Sequence, residues 1–167
     1  MKLNPEQESF IEKWGSMGVL WGINRSMARI HALALLSEKP LDLDEISEAL
    51  NISRGNASMS IRELKNWGVV QKVQLSGDRR DFYAAEPDSW RMFFRIVVER
   101  KKREFDPAMI SLKELMDLNA EALSPVVKER LQEIDGILGT FDVFLEKFLA
   151  SEARSRTFLG FIKNFVV

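Results

Sequence analysis

Residues 53–68 read SRGNASMSIRELKNWG. The second half has the spacing of an amphipathic helix. Wound at about 100° per residue, Ala57, Ile61 and Leu64 fall on one side. The first half is Ser, Gly and Asn, all poor helix formers. Gly55, Met59, Arg62 and Asn66 lie opposite the apolar side, flanked by Arg54, Asn56, Ser58 and Ser60. Small, uncharged residues at the start of a helix let another surface come close. Ser53 is placed to cap that start.

Just upstream, Leu41-Asp42-Leu43-Asp44-Glu45-Ile46 is a dense helix-start signal. Asp42 caps, Glu45 closes the capping box, and Leu41 can staple onto Ile46. Leu43, Ile46, Ala49 and Leu50 then form the apolar face of a short helix ending at Asn51-Ile52. Two short helices across a tight turn make a helix-turn-helix. Downstream, Trp67-Gly68 ends the second helix. The spacing predicts a strand over 69–75, with Gln71, Val73 and Leu75 on one side, a turn over 76–80, and a return strand over 81–85 bearing Phe82 and Tyr83. A two-helix unit followed by a hairpin with a basic tip is the winged helix-turn-helix layout.

The 167-residue chain has a net charge of −1, so the molecule as a whole is no polyelectrolyte binder. Between Asn51 and Ala85, however, six basic residues face three acidic ones, a local net charge of +3. That is where the phosphates of a duplex would lie. The slim helix tip suits entry into a DNA major groove, where Ser and Asn bond phosphates or base edges. The positive end of the helix favours phosphate as well. A hairpin arginine can enter a narrow minor groove, and Asp78 can brace Arg79 or Arg80 through a bidentate pair. Double-stranded DNA is therefore the expected partner. The alternative is a winged helix used only for protein contact, which would call for an apolar outer face in place of this Ser/Asn/Arg one.

Other classes find little support. The chain has no Cys and a single His, His31. Disulfides, thiolate zinc sites and a Cys nucleophile are excluded. No Gly-rich phosphate loop follows a strand, so no enzyme, metal site or cofactor is expected. The start, MKLNPEQESF, is polar and acidic and unlike a secretory signal. Apolar stretches are short and broken by charges, so no membrane span is expected and the cytoplasm is the expected location.

The flanking segments read as helices. Asn4-Pro5-Glu6-Gln7 opens the first, with a capping box and Pro at the first position. Phe10, Trp14, Met17 and Trp21 form its apolar stripe, and glycines 15, 18 and 22 weaken its later turns. Residues 23–37 are apolar on nearly every side, which predicts a central helix ended by Pro40. His31 lies within it, either as a packed core residue or as a ligand or pH-sensing group.

In the C-terminal half, Pro87-Asp88-Ser89 opens a helix with Trp90, Phe93, Phe94, Val97 and Val98 on its apolar side. Glu99-Arg100-Lys101-Lys102-Arg103-Glu104 follows, a solvated face, a DNA-backbone contact or an interdomain ion-pair cluster. Asp106-Pro107 and Ser124-Pro125 each restart the helix. Ser151 is placed to cap a final helix bearing Phe158, Leu159, Phe161, Ile162, Phe165 and Val166. So many apolar groups need cover, which predicts a helical dimerisation region, the alternative being intramolecular packing in a self-sufficient bundle. The expected fold is mainly α, with a winged helix-turn-helix domain over 1–87, its small β-hairpin wing, and a C-terminal helical dimerisation region over 88–167. The expected assembly is a homodimer, whose two reading helices would meet half-sites roughly 34–36 Å apart.

The run WGINRSMARIHALALLSEKPLDLDEISEALNISRGNASMSIRELKNWGVVQKVQLSGDRRDFYAAE strongly resembles the GbsR-type branch of the MarR family of transcriptional regulators, as does the later ERKKREFDP. The resemblance covers about Trp21 to Arg103. It implies a winged-helix dimer that binds operator DNA, with repression as the expected sign of control. By position, Ser53, Arg54, Asn56, Ser58 and Met59 match the family's recognition-helix face, beside Arg62. Gly77, Asp78, Arg79 and Arg80 match its wing. Many MarR-type proteins carry an arginine where this chain has Met59. Some members respond to small molecules, choline among them. An effector is therefore an open expectation, and its binding residues do not transfer. Trp faces can hold quaternary ammonium groups, but Trp14 and Trp21 read as core and Trp67 as the end of the recognition helix.

Overall fold

A computed structural model describes residues 3–118 and 123–166, with the side chains of residues 118, 159 and 161–166 outside the described set. The expected terminal aromatics Phe161 and Phe165, with Leu159, Ile162 and Val166, therefore lie outside the described side chains. The chain divides into two compact units, residues 1–95 and 96–167.

In the first unit, α1 (Pro5–Leu20) starts at Asn4, whose side chain accepts from the Gln7 N–H while Gln7 answers the Asn4 N–H, a complete capping box. Its packing face differs from the expected one. Ile11, Gly15 and Gly18 are buried, whereas Phe10 and Trp21 of the predicted stripe are 37% and 53% exposed. The physical reason is close approach. A Cβ on Gly18 would stand 2.6 Å from the Ala28 Cβ, and one on Gly15 would stand 2.7 Å from the Arg29 Cγ. The glycines that weaken α1 as an isolated helix are the surface on which the next helix lies.

That helix, α2 (Arg25–Leu36), is capped by Asn24 rather than starting at Ile23. It buries Met27, Ala28, Ile30, His31, Ala32, Leu33 and Ala34, as expected of a central helix. His31 is 4% exposed and packs against Trp14, with ring centroids 5.9 Å apart. Among the described residues its Nε2 has no hydrogen-bond partner, and burial pushes its pKa down to about 4. It is a neutral, packed core residue.

The helix-turn-helix is α3 (Leu43–Leu50) and α4 (Arg54–Asn66). Asp42 caps α3 by accepting from the Asp44 and Glu45 N–H groups, and Glu45 closes the box. Asn51 ends it in the left-handed conformation (φ 50°), which asparagine tolerates better than most residues. The hairpin is β1 (Val70–Val73) and β2 (Phe82–Ala85), antiparallel with Val70 opposite Ala85 and Val73 opposite Phe82. Both strands are shorter than the sequence predicts. A further bridge pairs Leu41 with Tyr83 through N–H···O bonds of 2.8 and 2.9 Å, tying the hairpin to the segment just before α3.

Asp88 caps α5 (Ser89–Arg100) by accepting from the Trp90 and Arg91 N–H groups. The unit boundary falls inside this helix. In the second unit the expected restart at Asp106-Pro107 does not occur. The chain runs through a π-helical turn, Lys101–Phe105, into α6 (Asp106–Leu118) with right-handed backbone at both joints. Wider π-type pairing fits a proline into a continuing helix. Lys101 Nζ donates to Asp106 at 2.6 Å and lies 2.9 Å from Asp142 Oδ1 in an ion pair, and these carboxylates raise its pKa well above the ordinary lysine range. Arg100–Glu104 and Arg103–Glu99 are i,i+4 pairs, so much of the basic run is paired within its own unit. Ser124 caps α7 (Pro125–Leu149), and Ser151 accepts from the Arg154 N–H at the start of α8 (Glu152–Val166). This unit has little core of its own. Among its described residues only Met109 and Ser155 are buried, while Ile110, Leu115, Val126, Val127, Ile134, Ile137, Phe141, Val143, Phe144 and Phe158 are exposed.

Candidate nucleic-acid interface

Ser53 stands at the head of α4, its Oγ accepting from the Asn56 N–H at 3.2 Å. Ala57, Ile61 and Leu64 are buried beneath the helix. Gly55, Met59 and Arg62 are exposed on the other side, and Ser58 is half-buried between the two faces. A Cβ added at Gly55 would meet nothing within 4 Å, so this stretch of helix is open.

Two flanking residues are less available than the helical wheel suggests. Asn56 is half-buried and turns inward, donating through Nδ2 to the Ser26 Oγ of α2 at 3.0 Å. Ser60, read as a flank, is 7% exposed and donates to the Asn56 Oδ1 at 3.3 Å. These bonds fasten α4 to α2. Arg54 is exposed but ion-paired with Asp44 of α3.

The hairpin tip is organised around one guanidinium. Gly77 takes φ 82°, a left-handed turn position open to glycine. Asp78 then accepts from the Arg80 N–H at 2.9 Å and takes Nε and Nη2 of the same side chain, with Nη2–Oδ2 at 2.7 Å. Arg80 Nη1 donates onward to Oδ2 of Asp42, the cap of α3. The Arg80 carbon between the nitrogens lies 5.1 Å from the Phe82 ring centroid. The hydrogen bond from Arg80 holds the Asp78 carboxyl below the usual range, and Asp78 in turn raises Arg80. The bracing read as a choice between Arg79 and Arg80 thus falls on Arg80. Arg79 beside it is exposed and, among the described residues, has no ion-pair partner.

The Asp42–Arg80 link joins residues 38 positions apart, and sequence reading did not find it. Asp42 was legible as a cap, and a capping carboxylate keeps a second oxygen free for another donor. The Asn56–Ser26 bond had no sequence signal, because it depends on how α2 crosses α4. No group of three or more His, Cys, Asp or Glu suited to a metal ion occurs among the described residues, and none of the described helices is long and apolar enough to cross a membrane.

Known proteins place this geometry. Residues 21–81, which span the helix-turn-helix and most of the hairpin, match the sequence profile of the MarR family. YvaV of Bacillus subtilis, a candidate HTH-type transcriptional regulator, is 26% identical over 135 residues, covering 77% of this chain and 75% of that protein. The HTH-type transcriptional repressor OpcR of the same organism is 26% identical over 135 residues, covering 77% and 72%. The HTH-type transcriptional repressor GbsR is 25% identical over 114 residues, covering 68% and 61%. A crystal structure of a transcriptional regulator superposes with a TM-score of 0.69 at 19% identity, covering 90% of this chain and 99% of that one, which shows a shared fold. In its two capped helices and tethered hairpin wing the chain thus resembles the MarR family, whose sequence pattern it carries over residues 21–81.

Proposed function

We propose that this protein is a sequence-specific DNA-binding transcriptional regulator of the GbsR-type branch, acting as a homodimeric repressor in the cytoplasm. The observation that carries the reading is the pairing of two features in one unit. One is the open outer face of α4, with Gly55, Met59 and Arg62, and half-buried Ser58 at its edge. The other is a wing fixed to the start of α3 by Arg80–Asp42 and by the Leu41–Tyr83 bridge. In this mechanism α4 enters the major groove with Ser53, Arg54, Asn56, Ser58, Met59 and Arg62 at or near the duplex. The turn of Gly77, Asp78, Arg79 and Arg80 flanks it, and Arg79 is free to meet phosphate or a narrow minor groove.

The homodimer rests on the second unit. Burying a wholly exposed Phe, Ile or Leu is worth roughly 1.5–3 kcal/mol, and covering each of the nine partly exposed apolar groups on α6 and α7 gains a share of that. A partner copy is the occupant that a twofold reader of DNA requires. Division into a DNA-binding domain over 1–87 and a dimerisation region over 88–167 is part of the same proposal. Repression is supported by the names of OpcR and GbsR. Selection from a pool of randomised duplexes tests the function directly. Enrichment of a two-part motif supports it, and failure to enrich any sequence at moderate salt overturns it.

A further inference from the structure

Met59 is 72% exposed at the centre of the outward face of α4. No folding reason accounts for a large apolar side chain there, since Ala57, Ile61 and Leu64 already supply the buried side. Its surroundings narrow its use. Gly55, one turn before it, has open space where a Cβ would be, so the backbone of that turn can come near another surface. Arg62, one turn after it, is exposed and without an ion-pair partner among the described residues. Apart from Arg62, the polar groups suited to reading purines are committed elsewhere. Asn56 is held by Ser26 and Ser60, Arg54 by Asp44, and Arg80 by Asp42 and Asp78.

A thioether offers no donor and only a weak acceptor. Among the groups displayed on the floor of the major groove, the one it matches is the 5-methyl of thymine, the only apolar one. We infer that Met59 packs against the methyl group of a thymine in each half of the operator and is a specificity-determining residue. Ser58 and Arg62 supply the polar contacts beside it. This inference rests on the DNA-binding reading above and names the base chemistry that α4 recognises.

The test begins with the motif enriched from randomised duplexes. Each thymine in it is replaced in turn by uracil, which deletes the methyl and keeps every hydrogen-bonding group. Affinity is then measured for the wild type, Met59→Leu and Met59→Ala. For the wild type, one thymine per half-site is expected to lose about fourfold on demethylation, the worth of one buried methyl group. Met59→Leu keeps that penalty and Met59→Ala abolishes it. If no uracil replacement weakens binding, or if the penalty survives in Met59→Ala, the assignment of Met59 is overturned while the DNA-binding reading stands. If no motif is enriched at all, both fall.

Discussion

Arg80, at the tip of the hairpin, donates to Asp42, the residue that caps α3. One carboxylate thus sets both the start of the first helix of the helix-turn-helix and the position of the wing. Arg80→Ala is expected to loosen the hairpin. Amide exchange over residues 76–81 should quicken, and DNA affinity should fall for all sequences alike. Arg79→Ala removes a free cation and no internal bond. It should leave exchange unchanged and lower the slope of log affinity against log salt by about one per chain. Equal exchange rates in the two variants would show that the clamp does not order the wing.

Glycine substitutions are expected to act with opposite signs according to what the added Cβ meets. Gly18→Val adds a Cβ 2.6 Å from that of Ala28 and more bulk beyond it. Overpacking of this kind costs about 1–3 kcal/mol. Gly136, inside α7, has open space where its Cβ would be, so Gly136→Ala should stabilise by about 0.5–1 kcal/mol. Urea denaturation of both variants measures the difference. A stable Gly18→Val would mean that α1 can shift away from α2.

His31 makes stability sensitive to acid. Its pKa in the fold is about 4, below the ordinary 6.5, because burial disfavours the charged ring. The unfolded chain therefore binds the extra proton first, and stability contributed by the neutral ring is lost as pH falls from about 6.5 towards 4. A shift of this size corresponds to a few kcal/mol, on the order of 3. A variant with His31→Leu should show a flatter stability profile between pH 6.5 and 4 than the wild type. Parallel profiles would show that other groups govern this window.

The exposed aromatics of α7 offer a test of assembly. Phe141 and Phe144 are each 49% exposed, with ring centroids 6.4 Å apart. Replacing both with Asp places charge on the surface proposed to meet the second copy. Sedimentation should report monomers with unchanged helix content. Persistent dimers would move the interface elsewhere.

The helix-turn-helix was legible because its signals are local. Asn4, Asp42, Ser53, Ser124 and Ser151 all announce helix starts within three residues of chain, and each does so in the structure. The buried face of α4 followed from periodicity alone. What escaped were properties set by crossing elements. Gly15 and Gly18 read as weak points because their neighbour α2 is invisible to a single-helix pattern. Trp21 read as core because hydrophobicity says nothing about which side a second helix takes. Asn56 and Ser60 read as outward because a helical wheel does not know that Ser26 lies within reach of Asn56. The roles of the site residues on DNA remain as the recognition-helix and wing matches imply them.

Half of the cations between Asn51 and Ala85 are already spoken for. Arg54, Lys72 and Arg80 hold Asp44, Asp81 and the Asp42–Asp78 couple, while Arg62, Lys65 and Arg79 have no ion-pair partner among the described residues. If α4 and the wing meet a duplex as proposed, these three cations are the ones this segment holds ready for phosphate. Grip on unmatched sequence is then expected to be light and dwell time there short, which leaves base-pair fit to decide occupancy.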